Sequence, residues 1–64
     1  MKALVKVRKR DSVWGVRLTV GVQTFWLDYY ANWEDARYMA KMLKKALSNA
    51  GATVNTRVTD KRFA

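Results

Sequence analysis

Apolar and polar residues alternate with a period of two along positions 2–8, 13–20 and 23–30, then give way at Ala31-Asn32 to a helical period. The three alternating stretches are rich in β-branched and aromatic residues and predict strands. Gly21-Val22 reads as a two-residue Gly-X turn closing the second hairpin. That turn sets Leu18 opposite Phe25, Val16 opposite Leu27 and Trp14 opposite Tyr29. With Lys9-Arg10-Asp11-Ser12 as the loop of the first hairpin, Val7 meets Trp14, Val5 meets Val16 and Ala3 meets Leu18. All of these pairs share one face, the expected core face. Lys6, Arg8, Arg17, Thr19, Thr24 and Trp26 point the other way, with Lys2 and Leu4 at the margin.

The helical segment spans 33–49. Asn32 suits its N-cap, Glu34 and Asp35 fall in the first turn where the helix dipole favours negative charge, and Gly51 suits a left-handed terminator. Ala36, Met39, Ala40, Leu43, Leu47 and Ala50 form one stripe flanked by Trp33 and Ala46, and this stripe is expected to pack on the apolar sheet face. Trp14, Phe25, Leu27, Leu43 and Leu47 are the expected core. Arg37, Lys41, Lys44 and Ser48, with Lys45 beside them, form an opposite arc that reads as a solvated face or as an extension of a positive surface. Tyr38 and Met42 make a third strip, which either shields the core edge or meets a protein partner. Positions 53–59 alternate weakly through Val54, Thr56 and Val58 and admit either an edge strand or a loosely held arm. The reading is a single α+β domain over 1–64: an antiparallel three-stranded sheet on one helix, order β-β-β-α-(β). Residues 59–64, with Lys61 and Arg62, form either a flexible tail or an extra basic arm.

Charge sharpens this picture. Thirteen Lys and Arg stand against five Asp and Glu, a formal +8 over 64 residues, which steers a chain toward polyanions. Cysteine and histidine are both absent, removing disulfides, thiolate chemistry and the usual zinc ligand and neutral-pH base. No carboxylates have a spacing that forces them together, Ser12 and Ser48 lack an activating histidine, and no glycine-rich phosphate loop occurs. A non-enzyme without cofactor or metal is expected. No apolar run approaches the length that spans a bilayer, and the N-terminus does not resemble a signal peptide. The expected setting is cytoplasmic, on the nucleoid if the chain binds DNA.

The expected site is the open sheet face. Arg17 and Trp26 fall opposite each other in the second hairpin, a spacing suited to a cation–π pair. Lys6 and Arg8 widen the patch across a third strand, and Lys9 and Arg10 in the loop are placed to reach phosphates. A strand surface of this width can enter a major groove, where Arg reads guanine and other cations hold the backbone. Duplex DNA ranks first as partner, with RNA or single strands, stacked on Trp26, second.

Residues 7–10 (VRKR), Trp14, Thr24-Phe25 and Glu34-Asp35-Ala36 carry a resemblance. In that arrangement the stretch from Val7 to Leu47 resembles the plant GCC-box-binding domain and the arm-type DNA-binding domains of phage and transposon integrases. The resemblance implies a three-stranded sheet docked in the major groove, with Arg8, Arg10, Arg17 and Trp26 as contacts. The chain departs from that pattern in its uncharged Gly21-Val22 turn and in Asp28 on the third strand. A small basic chain of this kind suits a phage or mobile-element accessory or regulatory protein. The alternative is a phage-type inhibitor that blocks a host RNA polymerase, nuclease or defence complex through its Arg/Trp face or through Tyr38 and Met42, since such residues dominate protein hot spots.

Overall fold

The computed structural model describes residues 1–63. Four strands and one helix follow in the order β1 (Lys2–Arg10), β2 (Val13–Val20), β3 (Gln23–Tyr30), α1 (Trp33–Asn49) and β4 (Thr53–Val58), and a 3-10 turn covers Lys61–Phe63. The α+β architecture is the expected one, and 53–58 form the fourth strand. The sheet is mixed: its order is β3-β2-β1-β4, and β4 lies parallel to β1 after the helical crossover.

The first hairpin is tighter than expected. β1 continues through Lys9 and Arg10, and the turn is Asp11-Ser12 alone, with Asp11 at φ 53. Aspartate tolerates this left-handed conformation, and two-residue turns of this kind match the twist of the flanking strands. The register therefore moves by two residues, to Val7↔Val16, Val5↔Leu18 and Ala3↔Val20. A slip of two leaves every side chain on its face, so the division between core and open face is the expected one although the partners differ.

The second hairpin follows its expected register from the turn to Arg17↔Trp26, then breaks at a β-bulge between Val16 and Arg17. Leu27 is the extra residue, and beyond it Asp28 faces Val16, Tyr29 faces Gly15 and Tyr30 faces Trp14. A bulge is a slip of one, so the end of β3 exchanges faces. Tyr29 joins the open face, and Asp28 leaves it for the helix side. There its Oδ1 accepts from the Tyr29 backbone N–H at 2.8 Å. Partial burial, and secondarily Asp28, hold the Tyr30 phenol above its ordinary pKa.

The core consists of Ala3, Val5, Val7, Trp14, Val16, Ala36, Ala40 and Val54. Full burial of a valine contributes about 1.5–3 kcal/mol, so the fully buried Val5, Val7 and Val16 are central to so small a domain. Among the described residues β3 contributes nothing to the buried set: Phe25 and Leu27, expected in the core, are 47% and 45% exposed. Leu43 and Leu47 are half-buried against the core edge.

The helix ends as expected in position, with one difference in chemistry. Asn32 is the N-cap residue but its side chain makes no capping bond; its Nδ2 donates weakly to Asp35 Oδ2 at 3.5 Å. At the other end Gly51 adopts φ 95, its N–H donates to Ser48 O, and the Ala52 N–H donates to Leu47 O, each at 3.0 Å. These are the two bonds of a Schellman closure. The chain beyond β4 returns to the start of α1: the Trp33 indole N–H donates to Thr59 O at 2.8 Å and Lys61 Nζ donates to Glu34 Oε2 at 2.8 Å. The Lys61 bond holds the Glu34 carboxyl below its ordinary pKa. Of the 59–64 tail, Ala64 lies outside the described residues.

Replacing Trp33 by Phe keeps a benzene ring against the core but removes the indole N–H and its bond to Thr59. The expected outcome is a loss of about 1 kcal/mol in urea unfolding, the usual net worth of one hydrogen bond. Faster amide exchange at Thr59 and Lys61 should accompany it, while core amides that exchange through global unfolding speed up only about fivefold, the factor that about 1 kcal/mol gives.

Candidate nucleic-acid interface

One transverse row organises the open face. Trp26 on β3 pairs with Arg17 on β2, Arg17 with Lys6 on β1, and Lys6 with Arg57 on β4. Four strands thus set one indole and three cations side by side. With neighbouring strands about 4.8 Å apart, the row is about 14 Å wide. The next row runs Tyr29, Gly15 and Arg8, and Arg10 lies beyond it on β1. No acidic residue occupies an open-face register position on any of the four strands.

Desolvation beside other cations leaves a signature on Lys6. Its pKa is lowered from the ordinary 10.5, first by desolvation and then by the charges of Arg17, Arg57 and Arg8. The charged form of Lys6 is therefore disfavoured in the folded state. It opposes folding at neutral pH, and that opposition is relieved as pH rises through its folded pKa. Arg17 has its Nε buried and without a hydrogen-bond partner. Leaving a buried donor unpaired costs about 1–3 kcal/mol.

Gly15 explains how the aromatic side chains fit. A Cβ at position 15 would lie 2.6 Å from Trp26 Cζ3 and 3.2 Å from Tyr29 Cε1, so the two rings rest directly on the β2 backbone. They stack on each other with centroids 5.8 Å apart and planes 16° from parallel. The guanidinium carbons of Arg10 and Arg17 sit over the Trp26 ring at 4.9 and 5.3 Å. Contacts of this kind are worth about 0.5–1 kcal/mol when exposed. Trp26 is thus a seat for two arginines.

Of the residues read as the site from sequence, Lys6, Arg8, Arg10, Arg17 and Trp26 come together on this face. Lys9 does not. It is a strand residue opposite Trp14 on the helix side, with its ammonium 5.1 Å from the Trp14 ring centre. Arg10 likewise belongs to the strand, which places it over Trp26 instead of in a loop. Tyr38 and Met42 are exposed on α1, away from the open face. Two members escaped the sequence reading. Arg57 needed the parallel pairing of β4 with β1, a long-range contact with no local signal. Tyr29 needed the bulge, for which the only hint was Gly15, the sort of residue that marks a close approach within a strand.

Among the described residues no three His, Cys, Asp or Glu side chains converge as a metal site, and no helix is long and apolar enough to cross a membrane. No protein-family model matches this chain, and no significant match occurs among curated proteins or solved structures.

Gly15→Ala tests the seat. Gly15 is buried beneath the two rings, so the substitution should cost the indole's contacts with Arg10 and Arg17, about 1–2 kcal/mol in all. The indole must lift, giving a red-shifted tryptophan emission and loss of the Tyr29–Trp26 ring-current shifts in NMR. Unchanged ring shifts would remove Gly15 from the site.

Proposed function

We propose that this chain binds nucleic acid, duplex DNA first, through the open face of its sheet. The observation that carries the reading is the acid-free row Trp26–Arg17–Lys6–Arg57, bordered by Arg8 and Arg10. Placing Lys6 here disfavours its charge, by desolvation first and by Arg17, Arg57 and Arg8 second, and a polyphosphate backbone is the ligand that offsets this by neutralising the row. The row is about as wide as the roughly 12 Å major groove. Duplex is preferred over single strands because the indole already rests on Gly15 and carries two guanidinium groups, leaving it poorly placed to stack a base. Lys6 and Arg57 serve as phosphate contacts, while Arg10 and Arg17, oriented by Trp26, reach toward base edges. A small protein of this kind fits a phage or mobile-element accessory or regulatory role.

Fluorescence anisotropy with a random duplex over a salt series is the direct test. A steep fall of log K with log salt is expected, close to 0.9 per phosphate contacted. Lys6→Ala and Arg57→Ala should each reduce that slope by about one, and Lys44→Ala on the helix should leave it alone. Duplex binding should also raise the Lys6 pKa toward 10.5, because phosphates replace repulsion with attraction. A single strand that binds more tightly than the duplex would shift the reading to RNA or single-stranded DNA. Absent or salt-insensitive binding would favour the competing reading, occlusion of a host protein machine.

A further inference from the structure

We propose that the outer side of α1 docks an acidic segment of a partner protein, one with a bulky apolar side chain set between carboxylates. Ala36 and Ala40, buried against the sheet, fix the core side of the helix. On the opposite side a hollow of about 510 Å³ opens among Tyr38, Lys41, Met42, Lys44, Lys45 and Ser48. Tyr38 and Met42 supply its apolar lining and are 64% and 42% exposed. Tyr38 lies two residues from each of the buried alanines, and Met42 two from Ala40, across the helix from the core. Their exposure therefore does nothing for the fold.

The lysines are not those of an ordinary solvated helix. Neighbours on a helix surface stand three or four positions apart, where a carboxylate would offset each charge. No such position around Lys41, Lys44 or Lys45 holds an acid, and Lys41 has Arg37, Lys44 and Lys45 in three of its four. The helix dipole does not account for them, because no Lys or Arg falls in the last turn, where it acts. Among the described residues none of the three makes an ion pair.

Charge and shape together select the occupant. Three unpaired ammonium groups around an apolar floor match carboxylates around an apolar side chain. Tyrosine and methionine are well suited to grip such an anchor. A second copy, at +8, is repelled. A lipid surface is flat and cannot fill a hollow, and two apolar side chains are too few to seat a helix in it. A duplex would lay phosphates on Tyr38 and Met42, which offer them no partner apart from the phenol. Single strands stack on successive aromatic rings, and this hollow has one. The helix and the open face lie on opposite sides of the sheet, so the hollow is independent of the DNA reading.

Methyl and ring NMR of the full chain, without nucleic acid, tests this with the acetylated and amidated peptide DEDFEDE. The Met42 methyl should move upfield beneath the phenyl ring and the Tyr38 ring should shift with it, while the Met1 methyl stays. Two counterparts, DEDAEDE without the anchor and NQNFNQN without the charge, should each bind about tenfold more weakly, as when a central anchor is lost. Lys41→Gln combined with Lys45→Gln should weaken DEDFEDE by a similar factor with no fall in the thermal midpoint, and Lys2→Gln should leave its binding unchanged. A Met42 methyl that does not respond would overturn the proposal, as would equal affinity for DEDAEDE. So would a stronger response to a single-stranded oligonucleotide or to anionic phospholipid vesicles, which would assign the hollow to that ligand instead.

Discussion

One helix must serve a four-stranded sheet, and most of this protein's surface properties follow from that shortage. An α-helix is about 10 Å across, whereas four strands at about 4.8 Å spacing spread their axes over about 14 Å. α1 enters from the end of β3 and leaves into β4, so its apolar stripe comes to rest over β1, β2 and β4. Those elements supply all eight buried core residues, with β1 alone contributing Ala3, Val5 and Val7. β3 is left overhanging, its Phe25 and Leu27 half in solvent. The opposite face of the sheet has no helix at all.

That uncovered face has a surface chemistry of its own. Lys6, Arg17 and Arg57 stand abreast, with the charge on Lys6 disfavoured by desolvation and by its neighbours, and Trp26 seats Arg17 together with one further cation, Arg10. An arrangement that only had to remain soluble would intersperse acids among these cations. Here the nearest candidate, Asp28, is carried to the other side by a single extra residue in β3. The same residue brings Tyr29 beside Trp26 over Gly15. One bulge thus removes a carboxylate from the face and completes its aromatic seat.

Much of this was legible in the residues alone, and the reason is parity. Alternation with period two assigns each strand residue to a face, and the two-residue error in the first hairpin left those assignments intact. The helix bounds were legible too, from Asn32, the acidic first turn and Gly51, because caps and breakers act locally. The capping bond itself was not, since Asn32 turns its amide to Asp35. Three things waited on tertiary structure. A bulge is a slip of one, and whether β3 bulges at Leu27 depends on Trp26 and Tyr29 finding Gly15 on the neighbouring strand. Arg57 reached the open face only when β4 paired with β1, some fifty residues away along the chain. The exposure of Phe25 and Leu27 depended on where a helix of fixed width came to rest. Local chemistry chose the elements and their faces; contacts between distant residues decided which side chains share a surface.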